Sequence, residues 1–341
     1  MSCTAKGFGV IGLGVWGESH LMTYNSTPGA WLVGVCDVKE DLARQRAEEF
    51  GAEFWTTDYR ELIAREDIAA VSVVTPDFMH REIAVAACEA GKHVLLEKPM
   101  ATTVEDAEAI ADAAAAAGVR VMVDFHNRWN PAMVTAKQAI VAGELGEMQV
   151  ASIRLNDTIY VPTQMLSWAG RSTVVWFLGS HSVDLVRWFF DDEVVRVYAV
   201  SRSRALAERG VTTPDFFHYV LELSRGGVAH VENCWIMSDH MPTVFDFKVE
   251  LIGSQGTIFA DCSSHRTVQK YTPQEAVYPD VAVRLDIHGR PAGFGIESIR
   301  HFVRAVVAGE EIPVTIDDGV QNTRVLVAVH RSAELGQPVE V

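Results

Sequence analysis

Between residues 8 and 125 the chain repeats one unit, a short apolar run followed by a segment long enough for a helix. FGVIG (8–12), LVGVCD (32–37), AAVSVVT (69–75), HVLLE (93–97) and VRVMVDF (119–125) are apolar almost throughout. Strands of that composition are buried on both faces, as in a parallel sheet with helices packed above and below it. Helical candidates lie between them at 40–50, 79–90 and 104–117. The third opens on Thr102 with Glu105 three residues on, a capping-box spacing, and stops at Gly118, suited to a left-handed C′ position. The alternation predicts an α/β Rossmann domain, a doubly wound parallel sheet that binds ligands beyond the carboxyl ends of its strands.

After Pro131 the pattern changes. A helix is expected over 131–142, a strand over 147–155 and a second helix over 172–190, then mainly strands from 194 to 271. In the run from Thr243 to Ile252, Phe245, Phe247, Val249 and Leu251 alternate with Asp246, Lys248 and Glu250. A period of two with one apolar face predicts an antiparallel sheet half covered by helices. Two late helices are expected at 294–308, with Ile299, Phe302, Val303 and Val306 on one stripe, and at 318–335. The chain's 341 residues suit two domains. The expected division is a Rossmann domain over 1–124, an α+β domain with a large open, mainly antiparallel sheet over 125–316, and a C-terminal helix and tail over 317–341 packing back on the Rossmann domain.

Lys and Arg number 29 against 45 Asp and Glu, a formal charge of −16 that repels a phosphate backbone or an anionic bilayer. Nucleic-acid and membrane partners are not expected. The five cysteines, Cys3, Cys36, Cys88, Cys234 and Cys262, are scattered and show no zinc-ligand spacing, so no metal is expected and a reducing compartment fits. The N-terminal MSCTAKGFGVIGLG has no apolar segment behind a basic start, and a cytoplasmic location is expected.

Gly12-Leu13-Gly14-Val15-Trp16-Gly17 follows the first strand and opens a helix. In such a turn the first glycine permits the tight bend, the second admits a pyrophosphate, and the third lets helix and strand pack closely. A second match, Gly7 to Gly12, lies inside the strand and is discarded. Asp37 ends the second strand 20 residues after Gly17, where its carboxylate would bond the adenosine ribose hydroxyls and repel a 2′-phosphate. The expected cofactor is NAD.

Lys98 follows the strand HVLLE and so projects from a carboxyl edge of the sheet. Beside a nicotinamide a lysine can be desolvated and exchange a proton with a substrate hydroxyl; taken alone, such a lysine is more often a solvated surface residue. GLGVWG, Asp37, Thr75-Pro76-Asp77-Phe78-Met79-His80, GKHVLLEKP (91–99) and Gly179-Ser180-His181-Ser182-Val183-Asp184 together resemble the glucose-fructose oxidoreductase, inositol dehydrogenase and rhizopine-catabolism (Gfo/Idh/MocA) family. LIGSQGT (251–257) and Asp317-Asp318-Gly319 resemble it too.

The resemblance implies metal-free, NAD(P)-dependent oxidation or reduction at a secondary alcohol of a sugar, glycoside or cyclitol. It also implies a homodimer or homotetramer built through the open sheet. By position it implies that Lys98 is the catalytic lysine, that Glu97 holds Lys98 and the nicotinamide ribose, and that Thr75, Pro76 and His80 line the cofactor cleft. His181 matches the histidine facing the substrate hydroxyl, and its imidazole could exchange a proton near neutrality. Phe177 stands where many relatives carry an Asp four residues before that histidine, and Asp77 where an Asn is common.

His126, Asn127 and Arg128 follow the last Rossmann strand and are expected in the cleft between domains, or alternatively as ordinary linker contacts. Asn156, Trp176 and Asp184 are further substrate candidates, with Asp157, Tyr160, Trp168 and Arg171 as plausible cleft neighbours; for the aromatics a core role is at least as open, and Asp184 could orient His181 or bond to the domain interface. Alternatives to a dehydrogenase are an enzyme that keeps and recycles its NAD, such as an epimerase, sugar–sugar oxidoreductase or eliminase, and a regulatory protein that binds NAD(H) without turnover.

Overall fold

The computed structural model describes residues 5–263 and 268–341, so Cys3 lies outside the described residues. The chain divides into two compact units. One takes the chain up to Trp129 and again Ala282–Val320; the other takes Asn130–Val281 and Gln321–Val341.

The first unit is built on six parallel strands: β1 (Lys6–Ile11), β2 (Ala30–Cys36), β3 (Phe54–Thr56), β4 (Ile68–Val73), β5 (His93–Leu96) and β6 (Val121–Val123), in the order β3-β2-β1-β4-β5-β6. Between them run α1 (Val15–Ser26), α2 (Glu40–Phe50), the short α3 (Tyr59–Ile63), α4 (His80–Glu89) and α5 (Val104–Ala117). The reversal of strand order at β1/β4 is the switch point where a doubly wound sheet opens a crevice. α5 begins one residue later than the capping-box spacing predicts. Thr103 is the N-cap and its hydroxyl accepts from the Asp106 amide, so Asp106 occupies the place expected of Glu105; Gly118 ends the helix at φ +64° as anticipated.

The second unit carries a seven-stranded sheet. Its elements are α6 (Pro131–Val141), β7 (Met148–Asp157), α7 (Ser180–Phe190), β8 (Val194–Arg202), β9 (Phe216–Leu223), β10 (Val228–Cys234), β11 (Phe245–Gly253) and β12 (Thr257–Asp261). Two small hairpins follow, β13 (Lys270–Tyr271) with β14 (Ala276–Val277), and β15 (Leu285–Ile287) with β16 (Arg290–Ala292), then α8 (Phe294–Ala308), α9 (Ile316–Leu335) and β17 (Val339–Glu340). The large sheet runs β12-β11-β7-β10-β9-β8-β17, antiparallel except for the β7/β10 pair. One face of β9 and β11 is buried at every second residue, including Phe217, Tyr219, Leu221, Phe247, Val249 and Leu251.

The C-terminal third departs from the expected division. α8, expected in the second domain, buries Ile299, Phe302 and Val303 in the core of the first unit beside Phe8 and Leu21. Arg120 donates to the Ala305 and Glu310 carbonyls at its C-terminal end, at 2.6 and 3.0 Å, as a cation does at an unsatisfied helix terminus. α9, expected to pack back on the Rossmann domain, instead places Val325, Leu326, Ala328 and Val329 in the second core, and β17 pairs with β8. An apolar stripe dictates that a helix be covered, and which sheet covers it is decided by chain path.

Candidate active site

The glycine-rich turn meets each steric demand read from its spacing. Gly12 has φ +94°, and a Cβ there would lie 2.4 Å from the Val74 carbonyl oxygen. A Cβ on Gly17 would lie 2.2 Å from the Gly12 carbonyl oxygen, so only glycine lets α1 start this close to β1. Gly14, the N-cap of α1, faces open space, and no capping side chain takes the helix's first amides. That leaves a cradle for an anion at a helix N-terminus.

Asp37 fixes the turn. Its Oδ2 accepts from the Leu13 amide and its Oδ1 from the Lys39 amide, both at 2.9 Å. A carboxylate oxygen has lone pairs to spare after one such bond, so two ribose hydroxyls can still be accommodated. Leu13 is fully buried and its amide is committed to Asp37, so it shapes the turn and offers no phosphate contact. Val15 is exposed, while the Trp16 ring lies 5.2 Å from the His126 ring and covers Gly295.

At the end of β4, the Thr75 hydroxyl is buried with no hydrogen-bond partner, and Pro76 is half-buried. His80 is fully buried: its Nε2 lies 2.9 Å from the Thr75 carbonyl and its Nδ1 2.7 Å from the Pro99 carbonyl. It ties the loops after β4 and β5 together and lines no open surface. Asp77 is buried, with Oδ1 accepting from the Phe78 amide at 2.8 Å. Glu97 continues β5, its amide donating to the Val73 carbonyl at 3.0 Å, and its Oε1 lies 3.2 Å from His20 Nε2. Lys98 follows at the same strand end, half-buried. The open Gly14 cradle, the Thr75 hydroxyl and the Asp37 carboxylate fit a dinucleotide laid across the switch point.

The three residues after Phe125 divide in role. His126 sits between the rings of Trp16 and Phe294, the latter 5.7 Å away, and its Nδ1 is 3.9 Å from Asp124 Oδ2. Asn127 is buried. Arg128, expected at substrate, forms a two-pronged pair with Asp318, Nη2 to Oδ1 at 3.0 Å and Nη1 to Oδ2 at 3.3 Å, and also donates to the Pro313 carbonyl at 3.0 Å. Burial pushes the Asp318 carboxyl up, but the Arg128 guanidinium and the Thr315 amide and hydroxyl outweigh it and hold the carboxyl below its ordinary range. Gly319 next to it packs on Met100 and Val123.

In the second unit, His181 is buried in the first turn of α7, and Asp184 is fully buried one turn on. A π-helical turn over Val175–Gly179 leads into α7. A Cβ on Gly179 would come 3.0 Å from Asn233 Oδ1 and 3.1 Å from the Tyr219 hydroxyl. Tyr219 donates to Asn233 Oδ1 at 2.6 Å, Asn233 Nδ2 reaches Ser182 Oγ at 3.2 Å, and Asn322 Nδ2 donates to the Ser180 carbonyl at 2.8 Å. These three residues anchor the turn that carries His181. Sequence reading passed over them, although each is a large polar group in an otherwise apolar strand face or helix stripe.

Asn156 and Trp176, expected at substrate, are used elsewhere. Asn156 accepts from the Cys234 amide at 2.8 Å and donates to Glu232 Oε1 at 2.6 Å, joining β7 to β10. Trp176 stacks on His330 at 4.5 Å and belongs to the second core. Burial pushes the His330 imidazole down to about 4. Phe177 lies between the rings of Trp168 and Trp235. A separate cavity of about 290 Å³ beyond β7 is lined by Thr158, Tyr160, Gln164 and Asp239.

Comparison with known proteins agrees with this geometry. Residues 6–125 match the oxidoreductase-family model with an NAD-binding Rossmann fold, and residues 133–259 match the Gfo/Idh/MocA C-terminal domain. The chain belongs to the Gfo/Idh/MocA oxidoreductases, and it is an NAD-dependent oxidoreductase acting on CH–OH donors. It is 31% identical to inositol 2-dehydrogenase 1 of Saccharopolyspora erythraea, over 98% of this chain and 95% of that one. It is 29% identical to the NAD-dependent scyllo-inositol 2-dehydrogenase of Bacillus subtilis, over 97% and 95%. Among solved structures, GenD2 from gentamicin A biosynthesis in complex with NAD superposes with a TM-score of 0.88 at 25% identity, covering 99% and 97%. Among the described residues no helix is long and apolar enough to cross a membrane.

Proposed function

We propose that the chain oxidises a secondary hydroxyl of a cyclitol or a related sugar or glycoside, with Lys98 accepting the hydroxyl proton and His181 as the second acid–base group. When bound, NAD supplies the hydride acceptor. The substrate carbinol carbon gives up its hydrogen with both electrons, the O–H proton passes to the Lys98 amine, and a ketone remains. The observation that carries the reading is the position of Glu97 and Lys98 at the carboxyl end of β5, on the same sheet edge as the Gly14 cradle and Asp37. Relatives named as inositol dehydrogenases along nearly the whole chain support the substrate class.

Glu97 orients the strand end that carries Lys98. Asn233, Tyr219 and Asn322 hold the α7 turn that carries His181, which supports the proposed role of its imidazole. A panel of myo-inositol, scyllo-inositol, aldoses and glycosides with NAD, followed by the absorbance of reduced nicotinamide, tests the reading. Turnover of a cyclitol or sugar is expected; NAD binding with no turnover across the panel would contradict it.

The assembly belongs to the same proposal. The outward face and edges of the large sheet expose Val150, Tyr198, Ile252 and Phe259, apolar groups of the kind a second copy would cover. A dimer or tetramer through this sheet is expected in light scattering, and a monomer at micromolar concentration would contradict it.

A further inference from the structure

Three side chains of metal-ligand type, brought from distant points of the chain, meet inside the first unit at the carboxyl edge of its sheet. His20 on α1 and Asp124, directly after β6, are fully buried, and Glu97, directly after β5, is nearly so. His20 Nε2 lies 3.2 Å from Glu97 Oε1, which turns that carboxylate inward, and one atom from each of the three residues lies within 4.8 Å of the others. His20 Nδ1 is 2.8 Å from Ser72 Oγ on β4, and that hydroxyl is in turn hydrogen-bonded to the Tyr24 hydroxyl. Positions 20, 97 and 124 share no local spacing, so no linear pattern announces the group.

Asp124 sets this group apart from an ordinary buried ion pair. Neither of its oxygens accepts a hydrogen bond, and His126 Nδ1 stands 3.9 Å away, beyond hydrogen-bond reach. Among the described residues no lysine or arginine pairs with Asp124 or Glu97. A carboxylate taken out of water without a donor is costly, and a cation that approaches its bare lone pairs offsets the cost. Ligands about 2.0–2.2 Å from a zinc ion stand roughly 3.3–3.6 Å apart around a tetrahedron. The His20–Glu97 pair is already close to that span, and Asp124 meets it with a movement of no more than about 1.5 Å. The imidazole is held as metal-bound imidazoles are, with its second nitrogen on an outer hydrogen-bonded group.

We propose that His20 Nε2, Glu97 and Asp124 form a binding site for a first-row transition-metal dication of the zinc type. A neutral imidazole and two carboxylates carry two negative charges, which such an ion neutralises, and one nitrogen with carboxylate oxygens is a donor set that zinc accepts. The ion ties α1 to the ends of β5 and β6 and has no part in hydride transfer. Because all three ligands are buried, it enters as the chain folds, and its binding free energy adds to the stability of the first unit.

The full-length chain is unfolded in urea with EDTA, freed of the chelator, and refolded with or without Zn2+. The zinc-refolded protein is expected to keep one zinc per chain through gel filtration, read by elemental mass spectrometry, and to melt about 5 °C or more above the metal-free protein. Asp124→Asn and His20→Gln are each expected to lose both the zinc and the shift. A zinc-free product overturns the proposal, and so does zinc kept equally well by both variants, which would place it on surface histidines such as His230. If refolding fails or the variants do not fold, anomalous diffraction at the zinc edge decides, from crystals of the parent protein expressed with zinc in the medium. A peak between His20, Glu97 and Asp124 is expected, and no peak there overturns the proposal.

Discussion

Arg128 and Asp318 are 190 positions apart in sequence and meet as a two-pronged ion pair inside the first unit. The arginine is 6% exposed and the carboxylate 19% at their side chains, so each is the other's main compensation for lost water. The pair accounts for the Asp317-Asp318-Gly319 pattern as structure: it holds the start of α9 against the segment that follows β6. Arg128→Ala leaves a largely buried Asp318 carboxylate without the guanidinium that balances its charge and is expected to destabilise the chain by about 3 kcal/mol in urea titration. A residue that merely touched substrate would raise KM and leave the urea midpoint where it was.

Gly12 and Gly14 predict different outcomes for the same substitution. Gly12→Ala places a Cβ against the Val74 carbonyl at a positive φ, so a lower melting temperature is expected without any ligand. Gly14→Ala adds its methyl group to open space, so the melting temperature without ligand is expected to hold. NAD affinity is expected to fall about tenfold or more, because the methyl occupies the place of the pyrophosphate. Calorimetric titration of each variant with NAD measures both effects.

The proposed role of Asp37 is to set the cofactor preference. NAD is expected to bind more tightly than NADP, and Asp37→Ser to narrow or reverse the ratio by removing the charge that faces a 2′-phosphate. Part of the NAD affinity is expected to go as well, since the same carboxylate holds the Leu13 amide. Fluorescence titrations with the two reduced cofactors would show this; tighter NADPH binding by the parent would contradict the role.

Stability should depend on pH through His330. Its imidazole, pressed on Trp176 and bonded to Thr173 Oγ1 and the Leu326 carbonyl at 2.7 Å each, is pushed down to about 4 by burial. The unfolded chain protonates this residue near 6.5 and the folded chain near 4, so the contribution is complete above about pH 6.5 and lost as pH falls towards 4. Roughly 3 kcal/mol is at stake. Urea midpoints between pH 4 and 7 are expected to show the slope, and a His330→Gln variant to show less of it.

Local rules carried the sequence reading far. The glycine spacing, the strand-end Asp37 and the helix stop at Gly118 are each set by a steric or electrostatic demand, and these were legible. Arg128, Asn156 and Trp176 were assigned to substrate because polar and aromatic groups near a crevice suit a polyol, but their partners Asp318, Cys234, Glu232 and His330 lie far along the chain. The exchange of α8 and α9 between units has the same cause, because amphipathicity says that a face is covered and leaves open by what. Asn233, Tyr219 and Asn322 matter through one another, and a linear pattern shows none of those contacts.

Hydride transfer with Lys98 as proton acceptor is tested most directly by comparing the parent enzyme with Lys98→Ala on a cyclitol deuterated at the oxidised carbon, with NAD binding measured in parallel. The parent is expected to place the deuterium on the nicotinamide ring, and the variant to bind NAD normally while turnover falls about a hundredfold or more. Near-normal turnover in a variant that still binds NAD, or reduced cofactor without the label, would contradict the account.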